Sequence, residues 1–358
     1  MATKLFVTGV TGYIGGDALY AILTAHPEYE ITALVRNTDK GAAVASHFAK
    51  VRLVYGDLDS EDLIEKESAA AHIVCNWASA DHEACLNAII RGLSKKHSSA
   101  PGYLIQNSGA GLMTFEDIRN QRFGEALSDK VYNDLDGVHE VTSMPPDAPH
   151  VFADQIVLRA AEETKSVRTA IVCPPCIYGA GRGPDNQRSV QIPELCAATI
   201  KNGFTPKINA GQAWWNFVHV HDLSALYLLL VEKAAAGGET ADWNGKPATW
   251  GKEGYYFCEN EEFVWADVSQ MIADQAKEMG LVEEAVVKGI TVEEGKKMAN
   301  AAGLLWGANT RGKAERAKVV LGWEAKKTLK EELKEQLEIE KKRVKVGHAA
   351  VAAGEARP

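Results

Sequence analysis

Short apolar runs alternate with helix-periodic stretches along the first half of the chain. Runs at Leu5–Thr8, Glu30–Val35, Val51–Tyr55, Ile73–Asn76, Tyr103–Gln106 and Thr169–Cys173 have the length and composition of buried strands. Helical periodicity between them predicts helices over Asp17–Ala25, Gly41–Ala49, Asp59–Ser68, Asp81–Lys95 and Ala153–Lys165. Such alternation implies an α/β fold, a doubly wound parallel sheet covered on both faces, with ligands at the carboxyl ends of its strands. Beyond about residue 178 the pattern loosens. A glycine/polar loop (Gly179–Gln187) leads to a helical stretch at Ile192–Lys201, and Val218–Glu232 reads as a return to the sheet. Glu261–Trp306 should build most of a smaller lobe. The expected division is residues 1–178 with a return segment at about 217–235, a discontinuous lobe from 179–216 and 236–345, and a tail over 346–358. Charges at helical spacing over Lys326–Lys345 predict a solvated helix, and the Ala/Gly-rich end is expected to fray.

With 358 residues, 46% apolar and 24% charged, the chain can fill one large domain plus a smaller lobe. A net charge of −9 removes any electrostatic case for nucleic acid or an anionic membrane. The longest apolar stretch, Leu223–Val231, is too short to cross a bilayer, and the first residues read as a strand instead of a secretory leader. A cytoplasmic protein, acting on a small molecule and compatible with a homodimer, is expected. Six cysteines do not suggest a disulfide framework. Cys173-Pro-Pro-Cys176 has no second pair and ends an apolar run, so packing is expected there, not metal.

The candidate chemistry starts at Thr8-Gly9-Val-Thr-Gly12-Tyr13-Ile14-Gly15, where a strand runs into a glycine-spaced turn and then a helix. Glycines let the backbone approach a pyrophosphate, and free N–H groups at the helix start hold its charge. The GxxGxxG spacing with these flanking residues resembles the short-chain dehydrogenase/reductase superfamily, in its extended and atypical branches, which include sugar-nucleotide epimerases and NmrA-like proteins. The resemblance covers roughly residues 4–265 and implies a Rossmann-type domain binding NAD(P). Arg36 stands at the end of the second strand, where NAD-preferring folds place a carboxylate. A guanidinium there attracts a ribose 2′-phosphate, so NADP(H) is preferred and NAD(H) remains possible. By resemblance, Asp57 and Leu58 hold adenine, Ala78 and Ser79 border the ribose and phosphates, Asn107 ends the fifth strand, and Pro174, Pro175 and Ile177 flank the nicotinamide.

The superfamily's catalytic Tyr-x-x-x-Lys pair is missing: no tyrosine has a lysine four positions on. Aligning the equivalent helix puts Asp154 and Leu158 in its place, or Gln155 and Arg159 after a one-residue slip. Ser108 is either the expected hydroxyl or one position short of it, with Gly109 taking its place. Other proton donors are Tyr178, and His82 beside Asp81 at a helix start, unless these simply pack and cap. His150, one turn before Asp154, could also face the cleft, and Asp154 could act as a base if desolvated. Trp214 and Trp215 suggest a partly apolar substrate. Three functions stay open: an NADP(H)-dependent oxidoreductase on a carbonyl, enone, imine or alcohol with a non-standard proton donor; a non-redox isomerase, lyase or cyclase; and an NmrA-like sensor that binds dinucleotide without turnover.

Overall fold

The computed structural model describes residues 2–96, 100–127, 130–237 and 247–352, with side chains described as far as Lys345. Seven parallel strands form the main sheet, in spatial order Arg52–Tyr55, Glu30–Val35, Lys4–Thr8, Ile73–Asn76, Gly102–Asn107, Val167–Cys173 and Tyr255–Phe257. The chain leaves the first strand in one direction and returns beyond it at the fourth, so a crevice opens at the carboxyl ends of these two. Near-continuous apolar runs suit strands covered on both faces: Leu5, Phe6 and Val7 are all buried. The covering helices Tyr13–Ala25, Thr38–His47, Glu61–Ala70, Glu83–Leu93 and Val151–Glu163 lie close to where the periodicity puts them. Among the described residues no helix is long and apolar enough to cross a membrane.

The seventh strand falls within the 236–345 stretch expected to belong to the lobe. Three residues make too short a run to stand out in the sequence. Its position is fixed from outside: buried Asp134 accepts 2.8 Å hydrogen bonds from the backbone N–H groups of Phe257, Glu315 and Arg316. One side chain thereby ties two other chain segments, its own and Glu315–Arg316, to the sheet edge.

A second apolar core belongs to the lobe. There a three-stranded sheet (Cys176–Tyr178, Trp214–His219, Glu261–Val264) packs with the helices Gln191–Asn202 and Trp265–Glu278. The charged C-terminal helix differs from expectation. It runs Leu329–Ala352, and Leu333 and Leu337 on one face, with Leu329 at its start, are buried in this core. Glu340, on that face, is 1% exposed and accepts from Arg188 Nε at 2.8 Å. Leucines four apart supply a buried stripe that the surrounding charges mask in the sequence. Residues 353–358 of the expected tail lie outside the described residues.

Candidate active site

The glycine turn has the shape of an anion cradle. Gly9 has φ +73°, and a Cβ on it would fall 2.6 Å from the Ala78 amide nitrogen. A Cβ on Gly15 would fall 2.5 Å from the Gly9 carbonyl oxygen. Only glycine permits these approaches. Gly12 caps the helix without a side chain, and the first turn, from Tyr13 and Ile14, carries no acidic residue, so its N–H groups face no competing carboxylate. The residues present therefore fit a dinucleotide pyrophosphate. Behind the turn, Thr8 Oγ1 donates to Asn76 Oδ1 and accepts from the Ala78 N–H, while Asn76 Nδ2 donates to Gln106. These bonds lock the ends of the first, fourth and fifth strands together.

Other cofactor candidates are distributed around this turn. Arg36 is exposed at the end of the second strand. Asp57 turns the chain through Oδ1, which accepts from Ser60 Oγ and the Asp59 N–H; the Ser60 hydroxyl holds its carboxyl below the usual range. Leu58 packs against the main core, Ser79 Oγ accepts from the Asp81 N–H, and Ile177 lies in the first lobe strand. Pro174 holds the loop after the fifth strand through its carbonyl, which accepts from the Ala110 N–H, and Pro175 is half-buried beside it. Two candidates have side chains committed elsewhere. The Tyr13 hydroxyl donates to the Gly179 carbonyl at 2.7 Å, and Asn107 Oδ1 accepts from the Tyr227 hydroxyl at 2.7 Å.

Ser108 and Asp154 meet at the ends of the fifth strand and the Val151–Glu163 helix. Ser108 Oγ donates to Asp154 Oδ2 at 2.9 Å, and the Tyr255 hydroxyl donates to the same oxygen at 2.8 Å. All three residues are at most 3% exposed. The other oxygen, Oδ1, is buried with no hydrogen-bond partner among the described residues. Desolvation pushes the Asp154 carboxyl up to about 6 against the opposing pull of the two hydroxyls, and burial beside this carboxylate pushes the Tyr255 phenol well up. The cluster thus holds a carboxyl that changes charge near neutrality and a phenol that stays a donor. Tyr255 was not among the sequence candidates, since no local motif surrounds it.

Asp81 does not pair with His82. Its carboxylate faces His150 Nδ1 at 2.9 and 3.0 Å. A carboxylate only accepts, so Nδ1 carries the proton and Nε2 is left for the cleft. Nε2 lies 3.2 Å from where a Cβ would stand on Gly109 or Gly111. His150 itself has φ +68°, the left-handed region that costs a non-glycine residue energy. His82 is a helix cap, its Nδ1 accepting from the Cys85 N–H at 3.2 Å and its Nε2 3.4 Å from Asp59. The expected His82–Asp81 pair is therefore absent, and the Asp81 carboxylate faces His150 instead.

Tyr178 is also removed from the cleft. It is 1% exposed, its hydroxyl donates to the Lys327 carbonyl at 2.7 Å, and burial pushes its pKa up. Trp215 is buried in the lobe core against Trp265, so it does not meet substrate. Trp214 is half-buried under the Arg311 guanidinium, 4.6 Å from the ring centre. Arg311 lines a cavity of about 510 Å³ with Met113, Phe115, Leu127, Lys130 and Met144. The loop after Ser108 and the segment before His150 supply most of this lining.

Residues 5–244 match the profile of the NAD dependent epimerase/dehydratase family. The chain is 38% identical over 324 residues to the oxidase ucsJ of an Acremonium species, covering 90% of this chain and 93% of that protein. It is 26% identical over 242 residues to the uncharacterized protein C2A9.02 of Schizosaccharomyces pombe, covering 65% of this chain and 72% of that one. Among solved structures, dTDP-glucose 4,6-dehydratase from Bacillus anthracis, in complex with NAD, superposes with a TM-score of 0.67 at 16% identity, over 95% of this chain and 97% of that one. UDP-glucose 4-epimerase from Thermotoga maritima gives 0.63 at 14% identity, over 96% and 100%. These structures share the fold. Taken with the glycine cradle and sheet order, the matches show that the chain belongs to the NAD-dependent epimerase/dehydratase family.

Proposed function

We propose that this protein is an NADP(H)-dependent oxidoreductase that interconverts a small, partly apolar alcohol or amine with its carbonyl or imine, using Asp154 in place of the missing tyrosine–lysine pair. The observation that carries this reading is the buried Ser108–Asp154–Tyr255 cluster. A dinucleotide on the glycine turn would supply hydride exchange with the substrate carbon. Ser108 gives its own proton to Asp154, so its lone pairs remain to accept a substrate hydroxyl. Above pH about 6 the Asp154 carboxylate can take the proton that Ser108 relays, and below it the acid can return one. Tyr255 fixes the carboxylate by donating to the same oxygen. His150, oriented by Asp81, would bind the substrate's polar group through Nε2, and the cavity beside Arg311 would take its apolar part. The relative named as an oxidase supports redox turnover in the direction of oxidation.

Fluorescence titration with NADPH, then consumption with cyclic ketones, enones and imines, and NADP+ reduction with the matching alcohols and amines, tests the reading. We expect binding and turnover on members of this panel, with Asp154→Asn keeping binding and losing about a hundredfold or more in rate. Tight binding without turnover on any member would favour a dinucleotide sensor instead.

A further inference from the structure

The loop after Tyr178 lies across the glycine turn. The Asn186 N–H donates to the Thr11 carbonyl inside the turn at 3.2 Å. The backbones of Gly183 and Gly16 touch, since a Cβ on Gly183 would fall 2.7 Å from Gly16 Cα. Arg182 anchors the loop by three bonds to buried Asp17, from its backbone N–H (2.8 Å), Nε (2.9 Å) and Nη2 (2.7 Å). Between these anchors Asp185 reaches outward and pairs with Lys40 Nζ. Lys40 lies in the first turn of the Thr38–His47 helix, just past Arg36, and its backbone N–H donates to the Asn37 side chain that caps that helix.

Arg36 and Lys40 are therefore two cations at the end of the second strand, where the ribose 2′ position of a dinucleotide lies in this fold class. Only one of them has an anionic partner in the structure: Lys40 is neutralised by Asp185, whereas no ion pair involves Arg36 among the described residues. A second strand ending in arginine lacks the carboxylate that selects against a 2′-phosphate. The lobe loop brings one from far along the chain, 145 residues from Lys40.

We propose that Asp185 is the specificity-determining carboxylate of the dinucleotide site: it competes with a ribose 2′-phosphate for Lys40 and so sets the ratio of NADP to NAD affinity. The inference rests on the nicotinamide-dinucleotide reading above but not on which coenzyme the wild type prefers. The pair is partly exposed, with about a third of each side chain accessible, so it is weak and a doubly charged phosphate can displace it. Removing the carboxylate frees Lys40 and lifts a like-charge repulsion from the 2′ position. A 2′-hydroxyl carries no charge and gains nothing from this change.

Calorimetric titration of the full chain with NADP+ and with NAD+ tests the idea in wild type, Asp185→Asn, Lys40→Ala and the double variant. Asp185→Asn should tighten NADP+ binding about fivefold and leave NAD+ within about twofold. Lys40→Ala should weaken NADP+ by about the same factor, and in that background Asp185→Asn should lose most of its effect. Melting curves without coenzyme should be unchanged for both single variants, which excludes a folding defect as the cause. A wild type that prefers NAD+ but shifts toward NADP+ in Asp185→Asn would sink the NADP preference and keep the role of Asp185. Equal changes for both coenzymes, or none, would overturn the role itself.

Discussion

Asp154 joins a raised pKa and burial in one side chain, which makes it the sharpest residue to test. Replacing it with asparagine keeps an oxygen for both hydroxyl donors and removes only the ability to take a proton. In the oxidative direction, turnover should fall as pH drops through about 6, because the base becomes protonated; with Asp154→Asn no inflection near 6 should remain in the residual rate. Tyr255→Phe removes one donor that stabilises the carboxylate, so the inflection should move to higher pH, and a stopped-flow pH–rate profile reads the shift. An unmoved profile would mean that Tyr255 serves packing alone. Ser108 and Asp154 were candidates in the sequence from their places after the fifth strand and on the Val151–Glu163 helix. Tyr255 was not, because 101 residues separate it from Asp154 and only the strand order brings them together. The partner of Asp81 was misleading in sequence for a related reason. His82 adjoins Asp81 along the chain, but it turns to cap the helix while His150 arrives from a distant loop.

At the scale of elements, the glycine turn and the six longer sheet strands could be read from pattern alone, since buried strands and a glycine-spaced turn leave strong local marks. The C-terminal helix could be read as well, but not its buried face, because three leucines among many charges look like a solvated surface until a partner core is known. Gly9→Ala should abolish dinucleotide binding, as the added methyl would meet the backbone at Ala78 and the left-handed φ would be strained as well. Calorimetry with NADP+ reads this directly. Leu333→Ala should destabilise the protein by about 2–4 kcal/mol in urea unfolding. If that helix were merely solvated, the same change would fall within about 0.5 kcal/mol.

For the whole molecule, the buried carboxyls set how stability follows pH. Asp154 and Asp134 both have pKa values pushed up to about 6 by desolvation, above the ordinary value of 3.8 for a free aspartate. The folded state therefore binds their protons more tightly than the unfolded chain does. Their stabilising contribution is complete below about pH 3.8 and is lost as pH rises through about 6. Each costs on the order of 2–3 kcal/mol once ionised at neutral pH. Asp154→Asn should consequently melt above the wild type at pH 7.5, and the gap should narrow as pH falls toward 5. A melting-temperature difference that stays constant over this range would show that Asp154 titrates normally. Ionisation and stability oppose one another at this position.

The late arrival of Tyr255 has a consequence for synthesis on the ribosome. A nascent chain that has delivered residues 1–178 already carries the glycine turn, Ser108 and Asp154, yet the hydroxyl that shares the Asp154 oxygen is still untranslated. In any early-folded intermediate of this kind the Asp154 carboxyl would lack its final hydrogen-bond partner. The glycine turn is encoded first, and the hydrogen bonding of the Asp154 carboxyl is completed only when the last strand of the sheet emerges.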